Sequence, residues 1–208
     1  PTGADGQDGA QGPQGPQGPA GADGNDGATG PQGADGANNA WGLLGNSGTI
    51  SSSNFVGTTD AQDLTFRTND IEKLRLTQQG QLEFLNTGGS VFVGELAGAN
   101  DDLTNNYNSF VGYKSGTALT TGDYNTSVGA FSLNYNTTGL TNTAIGAYAL
   151  NANTTGAYNT ALGTSALKNA TTAASNTAIG TNASFSNTIG EENTAIGRNS
   201  QYSNTTGN

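Results

Sequence analysis

Asn142–Tyr158 reads NTAIGAYALNANTTGAY, and Asn159 begins the next copy with NTALG. The core of this stretch is Asn-[Ser/Thr]-x-aliphatic-Gly, and it recurs from Asn108, Asn125, Asn142, Asn159, Asn176 and Asn193. Its glycines, Gly112, Gly129, Gly146, Gly163, Gly180 and Gly197, fall 17 residues apart without a slip. A period that tolerates no insertion means that each unit occupies the same place on its neighbour, as in a solenoid. Units of 17 residues are too short for a helical hairpin and suit two short strands with two turns. The expected fold is a parallel β-roll with 17-residue coils, over residues 88–208.

The columns of the repeat take on physical roles. Val111, Val128, Ile145, Leu162, Ile179 and Ile196 form an aliphatic ladder, expected to fill the interior of the roll. The Asn column is expected to stack its amides and satisfy turn backbone groups. Glycine at the turns permits positive φ or close packing. Leu133, Leu150 and Leu167 add a second apolar column in the middle coils, and SVFVG, ending at Gly94, reads as an earlier coil one residue out of phase.

Upstream, residues 1–39 carry glycine at every third position from Gly3 to Gly36. Only glycine fits at the axis of three wound polyproline-II chains, so strict triplets predict a collagen triple helix and therefore three chains. Asp5, Asp8, Asp23, Asp26 and Asp35 have no Lys or Arg among them, so no charge pairing sets the register of the rod. Residues 40–87 differ from both neighbours. Apolar residues alternate at Leu64/Phe66, Leu74/Leu76 and Leu82/Phe84, which predicts short half-buried strands. So short a β segment beside a triple helix is most economically an intertwined trimeric β collar, burying between chains what one chain leaves open.

The composition narrows the function. With net charge −10 and six Lys and Arg, the chain is ill suited to nucleic acid or an anionic membrane surface. No apolar run is long enough for a membrane-spanning helix. Without His or Cys there is no Ser-His-Asp or Cys-His relay and no His/Cys zinc site, so neither enzyme activity nor a cofactor is expected. Asp101-Asp102 and Glu191-Glu192 are adjacent pairs whose members point apart on a strand. The remaining candidates for surface contact are Tyr107, Tyr124 and Tyr158 in one column and Tyr148 at another outer position. Pro1-Thr2 looks like the end of a triplet and the last repeat stops at Asn208, so a segment of a longer polypeptide is expected.

NTAIGAYA and NTAIGTNA resemble the head repeats of trimeric autotransporter adhesins, although the period here is longer than is usual there. The resemblance implies left-handed parallel β-rolls, three side by side about a common axis. The glycine triplets resemble bacterial collagen-like proteins. Joined to NFVGTTDAQDLTFRTN, the repeat and the triplets together also resemble tail-fibre proteins of bacteriophages and contractile injection particles. These resemblances imply an extracellular homotrimeric fibre, a structural shaft presenting a distal receptor-binding tip. The alternatives are a cell-surface adhesin or collagen-like filament of the same build, and a fibre carrying a polysaccharide-degrading domain outside this segment. Beyond copies of itself, the expected partner is a cell-surface glycan or protein met through regions outside this segment.

Overall fold

The computed structural model describes residues 14, 47–50, 55–85 and 87–207. The triple helix expected over residues 1–39 lies outside the described residues, Gln14 apart, as does the start of the expected collar. The chain divides into two compact units, Pro1–Val56 and Gly57–Asn208. The second holds all ten strands of the described residues, which include no helix.

Three strands form an antiparallel sheet in the order β1 (Leu64–Thr68), β2 (Ile71–Leu76) and β3 (Leu82–Phe84). Asn69 and Asp70, with φ of 50° and 58°, close the first hairpin, as a two-residue primed turn requires. The register aligns Phe66 with Leu74 and Phe84, and Leu64 with Leu76 and Leu82. Side chains alternate across a strand, so these six apolar residues share one face. Phe66, Leu76 and Leu82 stay exposed there, and nothing among the described residues covers them. The other face is charged and centred on Arg75, whose Nη2 lies 2.8 Å from Glu72 Oε2, with Asp63 and Glu83 within 3.7 Å and 3.6 Å.

The solenoid is one parallel seven-stranded sheet, in chain order from β4 (Val91–Val93) through β5 (Ser109–Val111), β6 (Thr126–Val128), β7 (Thr143–Ile145), β8 (Thr160–Leu162) and β9 (Thr177–Ile179) to β10 (Thr194–Ile196). Each coil therefore contributes one strand of three residues where two were expected. The opposite side is built from stacked turns instead. There the Thr120, Thr137, Thr154, Thr171 and Thr188 amides each donate to the equivalent Thr carbonyl of the next coil at 2.8–2.9 Å, and the same hydroxyls donate to the same oxygens. Left-handed residues in each turn, such as Leu133, Leu150 and Leu167 with φ of 47–48°, prevent an extended run.

The interior also corrects the expected orientation of the ladder. Val111, Val128, Ile145, Leu162, Ile179 and Ile196 do not fill the roll: Ile145 is 38% exposed, Val111 40% and Ile196 68%. The residues just before them point inward, and Phe110, Ser127, Ala144, Ala161, Ala178 and Ala195 are buried. The cause is room. Ala149, Ala166 and Ala183 and the Leu133–Leu150–Leu167 column already occupy the narrow interior, which leaves space on the strand for Ala, or Ser at 127, and for nothing bulkier. In the coils of β4 and β5 the trade is reversed. Phe92 and Phe110 fill the interior from the strand, and Gly98 and Gly116 stand where the next three coils carry Leu; a Cβ on Gly116 would lie 2.3 Å from the Phe110 ring.

Two polar columns hold the coils in phase. Each Asn of the buried column accepts, at Oδ1, the amide N–H and the Nδ2–H of the next Asn, as from Asn142 to Asn159 at 3.1 Å each. Each also donates from Nδ2 across the coil, Asn142 to the Gly156 carbonyl at 2.8 Å, so Asn108, Asn125, Asn142, Asn159, Asn176 and Asn193 form a continuous buried ladder. Gly112, Gly129, Gly146, Gly163 and Gly180 hold φ between 127° and 138°, and a Cβ on any of them would meet the next glycine's carbonyl group within 2.8 Å. A side chain at these positions would therefore force the coils apart.

Candidate functional site

The outward face of the parallel sheet is a regular surface seven strands long. On each three-residue strand the first and third side chains point out and the second points in, so Thr126, Thr143, Thr160 and Thr177 flank the aliphatic ladder. With Val93 of β4, the ladder runs unbroken through seven strands and has no apolar cover among the described residues.

The tyrosines expected as contacts separate into two groups. Tyr107 and Tyr124 stack with ring centroids 5.5 Å apart, whereas Tyr158 stands beyond Thr141 in the same column and is exposed. All three have left-handed φ, between 53° and 60°. Tyr148 belongs to another strip. It stacks on Phe131 at 5.0 Å, and Tyr113 meets Phe131 edge-on at 5.3 Å. The two lysines of the solenoid lie on this strip: Lys114 Nζ is 5.3 Å from the Tyr113 ring centre, and Lys168 Nζ is 5.2 Å from that of Tyr148. Nothing in the repeat core marks the strip, because its residues come from several coils and differ in each.

The paired carboxylates are bound up in a turn. Asp101 Oδ1 accepts the Leu103 N–H at 2.8 Å, and Asp102 Oδ1 accepts the Thr104 N–H, the Thr104 hydroxyl and Asn106 Nδ2–H. Burial raises the Asp101 carboxyl above its ordinary range, while the bonds from Thr104 lower that of Asp102. Arg75, then Arg67, holds Glu72 below the ordinary glutamate range. Among the described residues, no three Asp or Glu side chains converge as metal ligands. The NTTG stretches are turns as well: Asn136 is buried, receiving the Gly139 N–H at 3.0 Å and donating to the Gly139 carbonyl at 2.9 Å, which leaves its amide closed to modification.

Comparison with known proteins gives one match. The family model for the collagen triple helix repeat (20 copies) matches residues 1–53. The matched span runs past Gly36 into Gly42, Gly45 and Gly48, which keep the phase of three with Asn39 as the break. No curated protein and no solved structure matches the chain. Collagen repeats imply association of three chains, and what this chain joins is a collagen repeat region to an all-β parallel solenoid, the parts of a structural fibre.

Proposed function

We propose that the chain is a shaft segment of an extracellular homotrimeric fibre, a non-enzymatic spacer that holds a receptor-binding tip away from a phage or phage-like contractile particle. Three copies of a weak tip then gain effective concentration at the target surface. The observation that carries this reading is the uncovered aliphatic ladder on a chain whose N-terminal repeats call for three copies. Seven aliphatic side chains in line on a flat face suit burial against two equivalent faces around a threefold axis. The apolar face of the β1–β3 sheet supports the same assembly. A cell-surface adhesin of the same build is the second reading, favoured by the repeat alone.

Mass measurement of the whole chain by sedimentation or light scattering tests the common premise. Three copies per particle are expected, and a stable monomer overturns both readings. Immunogold labelling separates them, since a tail fibre decorates particles and an adhesin decorates cells.

A further inference from the structure

We propose that a groove across the coils of β5, β6 and β7 binds an acidic saccharide. The groove has a volume of ≈ 390 Å³, within the range of small-ligand sites. Its walls carry Lys114, Phe131, Asn134, Tyr135, Tyr148 and Asn151.

Three features of the groove specify the ligand. Asn134 Oδ1 is buried and accepts no hydrogen bond, although buried polar atoms almost always find a partner. It is an acceptor without a partner, closed off as it stands, which a ligand hydroxyl meets once the side chain turns toward the groove. Lys114 Nζ forms no ion pair with a carboxylate among the described residues; it stands over the Tyr113 and Phe131 rings and keeps its charge. That ammonium favours an anion in a chain that is otherwise strongly acidic. Tyr135 is 57% exposed and makes no ring contact with another described aromatic, so its faces are open to the C–H side of a pyranose. A hydroxyl donor, a carboxylate and an apolar ring face occur together in uronic and sialic acids.

The groove is also where the sequence departs from its own repeat. Lys114, Phe131 and Tyr148 share a column with Ser165, Asn182 and Asn199, and all six have φ between 55° and 60°. Asn is the residue best suited to that conformation and bulky side chains are poorly suited, so the aromatics stand there against local preference. Tyr135 likewise replaces Ala, Asn or Ser in its column, as at Ala118, Ala152, Asn169, Ser186 and Ser203. Asn151 is tied down by donating from Nδ2 to the Phe131 carbonyl at 2.8 Å, which makes the floor rigid.

This inference rests on the fibre reading for the source of its ligand, a target-cell surface, and extends contact from the tip to the shaft. The site itself lies within one chain, so binding and oligomeric state are read separately. The test is calorimetric titration of the whole chain with trigalacturonic acid, 3′-sialyllactose and a hyaluronan tetrasaccharide, each against a neutral counterpart: methyl-esterified trigalacturonate, lactose and chitotetraose. At least one acidic sugar is expected to bind at least about tenfold more tightly than its counterpart. Tyr135→Ala and Lys114→Gln are each expected to weaken that binding about tenfold or more, with circular dichroism and mass unchanged. No acidic sugar bound, equal binding of the neutral forms, or variants that bind like the parent would overturn the proposal. So would a change of mass in Tyr135→Ala, which would make the groove an assembly contact, or a protein receptor engaging these residues while the sugars do not.

Discussion

Gly116 and Leu133 occupy the same place in successive coils, yet one has no side chain and the other is wholly buried. The difference is written six residues earlier, where Phe110 faces Gly116 and Ser127 faces Leu133. A thin interior has a fixed volume, and strand and turn share it. Both residues take left-handed φ, 59° and 47°, so the backbone already accepts Leu at that place and only space forbids it at 116. Gly116→Leu is expected to destabilise the solenoid by about 1–3 kcal/mol through overpacking. Phe110→Ala is expected to cost about 3–5 kcal/mol through the cavity it leaves. The double variant recreates the composition of the coil of β7 and should recover about 1–3 kcal/mol of the summed loss. Urea unfolding of the four proteins reads the coupling, and strict additivity would mean that the two positions do not share space.

At the scale of the element, one coil differs from the rest. From Gly94 to Gly112 is 18 residues where every later step is 17, and β4 still pairs in register with β5. The extra residue falls in the turn at 102–106, the turn stitched by Asp101 and Asp102. The acidic pair that looks in sequence like idle charge thus closes the one oversized loop. Asp102 has a lowered pKa, so its contribution is present above the ordinary aspartate range and is lost as pH falls through the lowered value. Asp101 has a raised pKa, so its contribution is complete below the ordinary range and is lost as pH rises through the raised value. Protonation of Asp102 below about pH 4 is therefore expected to loosen its bonds to the Thr104 amide and hydroxyl before the 17-residue coils respond, with protonated Asp101 offsetting part of the loss elsewhere in the turn. Amide exchange at Thr104 should rise before that at Thr137 or Thr154; simultaneous exchange would contradict the assignment. The period, the Asn and Gly columns and the three strands of β1–β3 were legible because each leaves a sequence pattern of its own. The inward face of the coils was not. In a three-residue strand, Thr-Ala-Ile fixes the alternation but not its sign, and the habit of placing the larger apolar residue inside fails when the interior admits only Ala.

For the whole molecule, the proposed trimer makes the ladder the surface buried between chains. Ile145→Lys would set an ammonium group at mid-ladder in each of three copies, losing about 1.5–3 kcal/mol of aliphatic burial per chain and adding the cost of desolvating charge. The solenoid of this variant is expected to unfold at markedly lower urea than the parent, while Ile145→Val stays close to it. An unchanged midpoint in the lysine variant would mean that this face meets water. At this scale sequence reading reached the collagen region and the trimer it implies, but it missed the groove, whose residues come from three coils and look one by one like drift. Departure from the repeat in the columns of Phe131 and Tyr135, where other coils carry Asn, Ser or Ala, was the available signal. The hydrogen bonds of the solenoid carry a further consequence, since they join each coil only to its immediate neighbours. No coil registers how many others exist, so loss or gain of one 17-codon block by slippage during replication shifts the whole by a single step of about 4.8 Å. Adding or removing a coil would therefore change reach by one step while the Asn and Gly columns rejoin in register.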